Sequence, residues 1–194
     1  MHDIEPHYGW REYYIASEDK SSPFFGQVYS EFSFSKKIYN YYIHPQWDDF
    51  GSTTLYMKIL FVDNVDNFAI IELIGEWNDC IHNDVMFLKR NIADILIDQG
   101  VSKFILVCEN VLNFHSSDDS YYEEWYSELS DVGGWIAIVN PHEHVLKEME
   151  SARLQNYLLL GETYLDIQWR KKSPKHFYQE LISRMNNETK QLTY

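Results

Sequence analysis

Gly100-Val101-Ser102-Lys103-Phe104-Ile105-Leu106-Val107-Cys108 decides the fold. Glycine takes the left-handed conformation that ends a helix at little cost. The run that follows it, Lys103 to Cys108, is continuous, apolar and of strand length. A strand of that kind is buried on both faces, beneath helices that flank it.

Upstream, the segment ending at Gly100 carries Val85, Leu88, Ile92, Ile95 and Leu96 at helical spacing, with Asn83 as its cap. Before it, Leu55 to Val62 and Phe68 to Ile74 are apolar runs joined by Asp63-Asn64-Val65-Asp66-Asn67, a connection that closes a hairpin. Downstream, a polar loop from Asn110 to Asp119 leads to a second helical stripe: Tyr121 or Tyr122, then Trp125, Tyr126 and Leu129. Gly133-Gly134 stops it. Trp135 to Val139 reads as another buried strand. Asn140-Pro141 starts a third helix, lined by Val145, Met149 and Ala152, because asparagine caps and proline has no N–H to lose there. Tyr157-Leu158-Leu159-Leu160 predicts a short last strand, and Pro174 opens a helix with Phe177, Leu181 and Met185 on one face. Strands alternating with helices in this order predict an α/β fold, with a hairpin leading into a largely parallel, helix-covered portion of a mixed sheet.

Residues 1–53 read differently. They are rich in Tyr, Phe, Ser and Asp and broken by turn signals at Ser22-Pro23, Phe25-Gly26, His44-Pro45 and Phe50-Gly51. Short β segments are expected at Tyr13-Tyr14-Ile15 and at Ile38-Tyr39-Asn40-Tyr41-Tyr42-Ile43, where aromatic and β-branched residues suit a half-buried pleat. The chain thus divides into an aromatic, β-rich N-terminal extension, 1–53, and an α/β domain with a C-terminal helix, 54–194. The extension either packs on the sheet or makes a dimer.

With 45% hydrophobic and 24% charged residues spread along 194 positions, the chain can bury a core. Sixteen basic residues against 30 acidic give a net charge of −14, which repels nucleic acid at long range. Arg170-Lys171-Lys172, with Lys175 nearby, reads as solvated loop charge before a helix. Cys80 and Cys108 are far apart, and Cys108, inside its apolar run, behaves as a small buried hydrophobe. The start, Met1 to Pro6, has neither the basic residues nor the apolar stretch of a signal peptide. No run approaches the roughly 20 apolar residues of a membrane span. The expected address is the cytoplasm, with no membrane partner.

The stretch Asn113-Phe114-His115-Ser116-Ser117-Asp118-Asp119-Ser120 lies between a buried strand and a helix start, where ligands and phosphates meet an open α/β sheet. A serine there can offer its hydroxyl to a partner or a kinase, and a phosphate on it would face the free N–H groups of the helix. Alternatively, Ser116, Ser117 or Asp118 caps that helix. The candidate binding or phosphorylation residues are Ser116, Ser117, His115, Asp118 and Asn113.

Three segments resemble the STAS domain of anti-sigma factor antagonists and sulfate-transporter tails: Phe68 to Trp77, with its Gly75-Glu76 ending; Phe114-His115-Ser116-Ser117-Asp118; and Gly133 to Pro141. The resemblance runs from Leu55 to Gly161. It implies a STAS-like mixed sheet and a non-catalytic regulatory module that acts by protein contact. It also places Ser116 at the position of the family's phosphorylated serine and implies a regulatory kinase or anti-sigma-like factor as partner. His115 stands where the family has aspartate, and Asp118 where it has glycine. The following helix carries Glu123, Glu124 and Glu128 beside Asp118 and Asp119, with no base among them, so a phosphate on Ser116 meets like charge.

Two other readings stay open. One is a small-ligand binder of the same fold, holding an apolar or anionic molecule near this loop. The other is a hydrolase using His115 and Ser116, although triad members must converge in space and neighbours on one loop rarely do. His142-Glu143-His144 puts two histidines about 200° apart on a helix, off a single ligand face. No cofactor or metal is implied, and neither GxGxxG nor GxxxxGK[ST] occurs.

Overall fold

The computed structural model describes residues 3–191; Met1, His2 and residues 192–194 lie outside the described residues. A hairpin starts the sheet. Strand β3 (Leu55–Asp63) runs antiparallel to β4 (Phe68–Asn78), and Asp63 Oδ1 accepts the N–H groups of Val65 and Asp66 at 2.8 and 2.9 Å to fix the turn. The register slips between Ile59 and Phe61, a bulge that adds Leu60. Strands β5 (Lys103–His115) and β6 (Trp135–Val139) then join in parallel, giving the order β3-β4-β5-β6.

Helices cross between the parallel strands. From β4 to β5 the chain passes through α1 (Asp84–Leu88), a π-helical turn (Lys89–Ala93) and α2 (Asp94–Asp98). From β5 to β6 it passes through α3 (Ser120–Ser130). Helix α4 (Glu143–Ser151) follows β6, and α5 (Pro174–Gln191) ends the described chain.

The alternation of side chains along each strand sorts the core into two layers. On one face Ile71, Leu73, Phe104, Leu106, Cys108, Ile136 and Ile138 meet Leu88, Ile92 and Leu96 of the first crossover. Tyr122, Trp125 and Leu129 of α3 and Val145 and Met149 of α4 complete that layer. On the other face Phe68, Ile70, Ile105, Val107 and Val139 meet Phe177 and Leu181 of α5, together with Trp169, Tyr164, Ile167 and Trp10. The doubly buried strand expected at Lys103 to Cys108 is therefore present, and the N-terminal Trp10 is part of what covers it.

The extension packs on its own sheet. Ile38, Ile43 and Trp47 bury against Tyr56 and Ile74, and Asp48 bridges Met57 at the edge of β3. Its strands are short: β1 (Lys37–Ile38) pairs with β2 (Tyr41–Tyr42) in a hairpin that bends at Tyr39, whose φ is 53°, where one continuous segment was expected. Tyr13-Tyr14-Ile15 is not a strand. The N–H groups of Tyr13 and Tyr14 both bond the Trp10 carbonyl, which closes a turn in place of a ladder.

Three other boundaries differ from the sequence reading. The polar loop expected from Asn110 is strand as far as His115, because Val111 and Phe114 bury while β4 keeps pace in parallel up to Asn78. Tyr157 to Leu160 makes a single parallel bridge, Leu159 to Ala137, and no strand. Asn140 does not cap α4, which begins at Glu143. Held at φ 51°, its side chain instead donates to Glu109 Oε1 and to the Ile167 carbonyl, and accepts the Ile167 N–H, tying the loop after α4 to the end of β6.

Candidate functional site

Where β4 and β5 end, the next segments leave from neighbouring points: the Asp79–Asn83 turn after β4 and residues 116–119 after β5. Asp79 N–H donates to the His115 carbonyl at 2.9 Å and so pins the two turns together. Its side chain is the hub beneath them. Oδ1 accepts Trp77 Nε1 at 3.0 Å and the Val85 N–H at 2.8 Å, and Oδ2 accepts the Tyr122 hydroxyl at 2.6 Å. Asp79 is the side chain that caps α1; Asn83, expected to do so, sits at φ 54° and makes no side-chain capping bond, its amide donating instead to Met86 Sδ at 3.7 Å. Burial pushes the Asp79 carboxyl up to about 6, against the bonds from Tyr122, Val85 and Trp77, and its neighbour Asp84 is also raised by burial. Asp84 Oδ2 accepts the Asn78 N–H at 2.7 Å.

Above this base Ser116 and Ser117 are exposed, as are His115, Asp118 and, in the adjoining turn, Cys80 and Ile81. Asn113 is half-buried and donates to Glu76 Oε1 at 3.1 Å. Asp118 is occupied: its Oδ1 accepts both the N–H and the hydroxyl of Ser120, and that pairing holds its carboxyl below the ordinary range. Asp118, one of the three residues the sequence offered as a cap, thus bonds the first residue of α3 from outside the helix, whose N-cap position is Asp119 and carries no side-chain capping bond. Asp119 accepts the Tyr157 hydroxyl at 2.8 Å.

The acidic face of α3 has bases opposite it that its own sequence lacks. Arg90 lies 2.7 Å from Glu124, and the buried Lys89 lies 2.7 Å from Glu128 while also pairing with Asp94. Both cations come from the π-helical turn of the preceding crossover. The like charge left near Ser116 is therefore mainly Asp118, Asp119 and Glu123.

A second polar centre lies on the other face of the sheet. Glu72, in the middle of β4 and fully buried, accepts the His7 N–H at 2.7 Å and Arg170 Nη2 at 2.8 Å. Glu109 on β5 shares the same guanidinium through Nη1 and also accepts Trp169 Nε1 at 2.7 Å. Burial raises the Glu72 carboxyl to about 7 and lowers His7. Three of the four bases read as solvated charge are paired: Arg170 as described, Lys172 with Glu180, and Lys175 with Asp63 at 2.9 Å, while Lys171 is exposed. Glu72 was visible as the charged residue inside the apolar run from Phe68 to Ile74. Asp79 carried no signal beyond its place before a helix.

His142 and His144 stack, centroids 5.6 Å apart, because His142 stands ahead of the helix in extended backbone and the helical angle between them does not apply. Among the described residues no group of His, Cys, Asp and Glu is placed to hold a metal ion, and no helix is long and apolar enough to cross a membrane. A cleft of about 820 Å³ opens between α4 and residues 162–168, and a cavity of about 180 Å³ lies between the N-terminal segment and β3. Residues 113–118 line neither.

No protein-family model matches the chain, and no curated protein matches it. Among solved structures it is similar to the protein TM1081 of Thermotoga maritima, at 18% identity and a TM-score of 0.40 over 62% of this chain and 84% of that one. It is also similar to the Bacillus cell fate determinant SpoIIAA in the phosphorylated form, at 19% identity and a TM-score of 0.39 over 53% and 88%. Over 53% of its length the chain resembles the anti-sigma factor antagonist SpoIIAA in its unphosphorylated form, at 21% identity and a TM-score of 0.43, covering 85% of that chain.

Proposed function

We propose that this chain is a non-catalytic regulatory module of the cytoplasm, and that it binds a protein partner through the surface formed by His115 to Asp118 and the adjoining Cys80-Ile81 turn. The observation that carries this reading is the exposure of Ser116 on a fixed base: the residue before it is bonded through its carbonyl to Asp79, whose side chain joins β4, α1 and α3. An exposed hydroxyl on a rigid ledge suits recognition by another protein and modification by a kinase. The partner class that the sequence resemblance implies is a regulatory kinase or an anti-sigma-like factor.

A phosphate on Ser116 adds close to two negative charges beside Asp118. Asp118 is then pushed from Ser120 or holds the phosphate away from the α3 N-terminus, and either response reshapes the contact surface. The hydrolase alternative draws no support from the local bonding, since Asp118 is committed to Ser120.

The test is affinity capture with the full chain as bait. Wild type and Ser116→Ala are expected to retain the same partner, and Ser116→Asp to lose at least about tenfold of it, the loss expected when about 1.4 kcal/mol of contact is removed. Equal capture by all three chains would refute the switch. A small molecule carried through purification and seen in native mass spectra would favour the ligand-binding alternative.

A further inference from the structure

The N-terminal segment from Asp3 to Ala16 crosses the second face of the sheet as a strap, held at its flanks by Arg11, which donates to Gln46 Oε1 at 3.2 Å, and by Glu5, 3.5 Å from His44 Nε2. His7 N–H reaches Glu72, Trp10 Nε1 reaches the Lys172 carbonyl at 2.8 Å, and the Ile4 carbonyl accepts Trp47 Nε1 at 2.8 Å. His7 Nε2 is buried with no partner. The cavity of about 180 Å³ runs beneath the strap, lined by His7, Trp10, Tyr14, Lys58 and Leu60. Apolar contact adds to these, with the Trp10 ring 5.3 Å from Trp169 and 6.2 Å from Phe177.

Glu72 lies where strap, sheet and C-terminal segment meet. The charged and titratable groups around it come from each of these. His7 belongs to the strap. Lys58 is paired opposite on β3, but its ammonium is turned to Asp48 at 3.1 Å. Glu109 lies on β5 beside Asn110, and Arg170 reaches in from the segment before α5. One guanidinium thus serves two carboxylates, of which Glu109 keeps some contact with water and Glu72 has its side chain wholly buried.

We propose that the strap is a pH-sensitive cover: it lies closed over the sheet when Glu72 carries a proton and loosens when Glu72 ionises. With the strap closed, Glu72 has no exposed surface; with it lifted, water reaches the carboxylate and its charge is stabilised. The closed form therefore binds the proton more tightly than the open form, and raising the pH favours opening. With the carboxyl at about 7 under the strap and at 4.5 when solvated, Glu72 alone raises the open-to-closed ratio about tenfold between pH 6 and pH 8; His7, whose protonation burial disfavours under the strap, regains its ordinary value of 6.5 on release and offsets up to about fourfold of that, so the net rise is about two- to tenfold.

Hydrogen exchange of the full chain tests this, with each rate divided by the intrinsic rate at the same pH. In wild type, protection of residues 3–16 is expected to fall about two- to tenfold from pH 6 to pH 8 while protection of β4 holds. In Glu72→Gln, which stays neutral and can still accept the His7 N–H, only His7 is left to respond, and strap protection is expected to hold or rise from pH 6 to pH 8. Three results would overturn the proposal: a flat profile in wild type, the same slope in Glu72→Gln, or a strap that loses protection only in step with β4. A carbon-13 titration of the wild-type Glu72 carboxyl is a check that needs no variant. A midpoint near 7 supports the proposal, and one within a unit of 4.5 overturns it.

Discussion

Replacing Asp79 with alanine removes the acceptor for three buried donors at once: Trp77 Nε1, the Val85 N–H and the Tyr122 hydroxyl. Each buried donor left without a partner costs about 1–3 kcal/mol, so the three together cost roughly 6. Against this stands relief from a buried charge. The rise of the Asp79 pKa from 3.8 to about 6 corresponds to roughly 3 kcal/mol of penalty on the ionised form. Asp79→Ala should therefore destabilise the fold by about 3 kcal/mol at pH 7, measured by urea unfolding. The pH dependence has a definite sign. A folded pKa above the unfolded one means the penalty is absent below 3.8 and is felt fully only above about 6. The deficit of Asp79→Ala should therefore grow as the pH is lowered from 7 to 5. Asp79→Asn keeps an acceptor for Trp77 and Val85, can donate to the Tyr122 oxygen and removes the charge, so it should fall within about 1 kcal/mol of wild type. A cycle with Tyr122→Phe should show a coupling of about 1–3 kcal/mol. A deficit in Asp79→Ala below about 0.5 kcal/mol, or one that shrinks on acidification, would refute the role assigned to this carboxylate.

Two further perturbations examine the frame around the site. Gly75 lies in β4 at φ 119°, and a Cβ there would stand 2.2 Å from the Thr54 carbonyl oxygen and 2.5 Å from Ile38. Gly75→Ala is thus expected to cost more than about 3 kcal/mol and to free the β1–β2 hairpin, seen as a lower thermal midpoint and faster exchange at Ile38. Lys89 is fully buried, while its partners Asp94 and Glu128 are 31% and 41% exposed. Lys89→Met should cost about 1 kcal/mol or less, because the stem is replaced and the acids reach water, whereas Lys89→Ala should cost about 2–4 from the volume lost. Equal losses in urea unfolding would show that the charge, and not the stem, is what matters there.

The sequence made some elements plain and left others hidden, for reasons visible in particular residues. The helix stripes of Tyr122, Trp125 and Leu129 and of Phe177 and Leu181 were legible because one apolar face repeats every three or four residues. The hairpin was legible because Asp63 and Asn67 bracket a turn of the right length. The far end of β5 was not. Asn110, Asn113 and His115 interrupt the run with polar side chains, and only the parallel partnership with residues 74–78 of β4 makes strand the better state there. Tyr13 to Ile15 failed in the opposite sense: strand-forming residues were claimed by a local turn on the Trp10 carbonyl.

Local chemistry by itself therefore determined the α/β alternation, the hairpin, the doubly buried β5 and the prominence of the loop at Ser116, since each follows from spacing along the chain. Tertiary structure decided what the loop stands on and what opposes it. Asp79 meets Tyr122 across 43 positions, Lys89 meets Glu128 across 39, and Glu72 meets His7 and Arg170 across 65 and 98. Burial supplies the energy that joins such distant groups: a charge or donor taken from water must find its partner wherever the fold brings one.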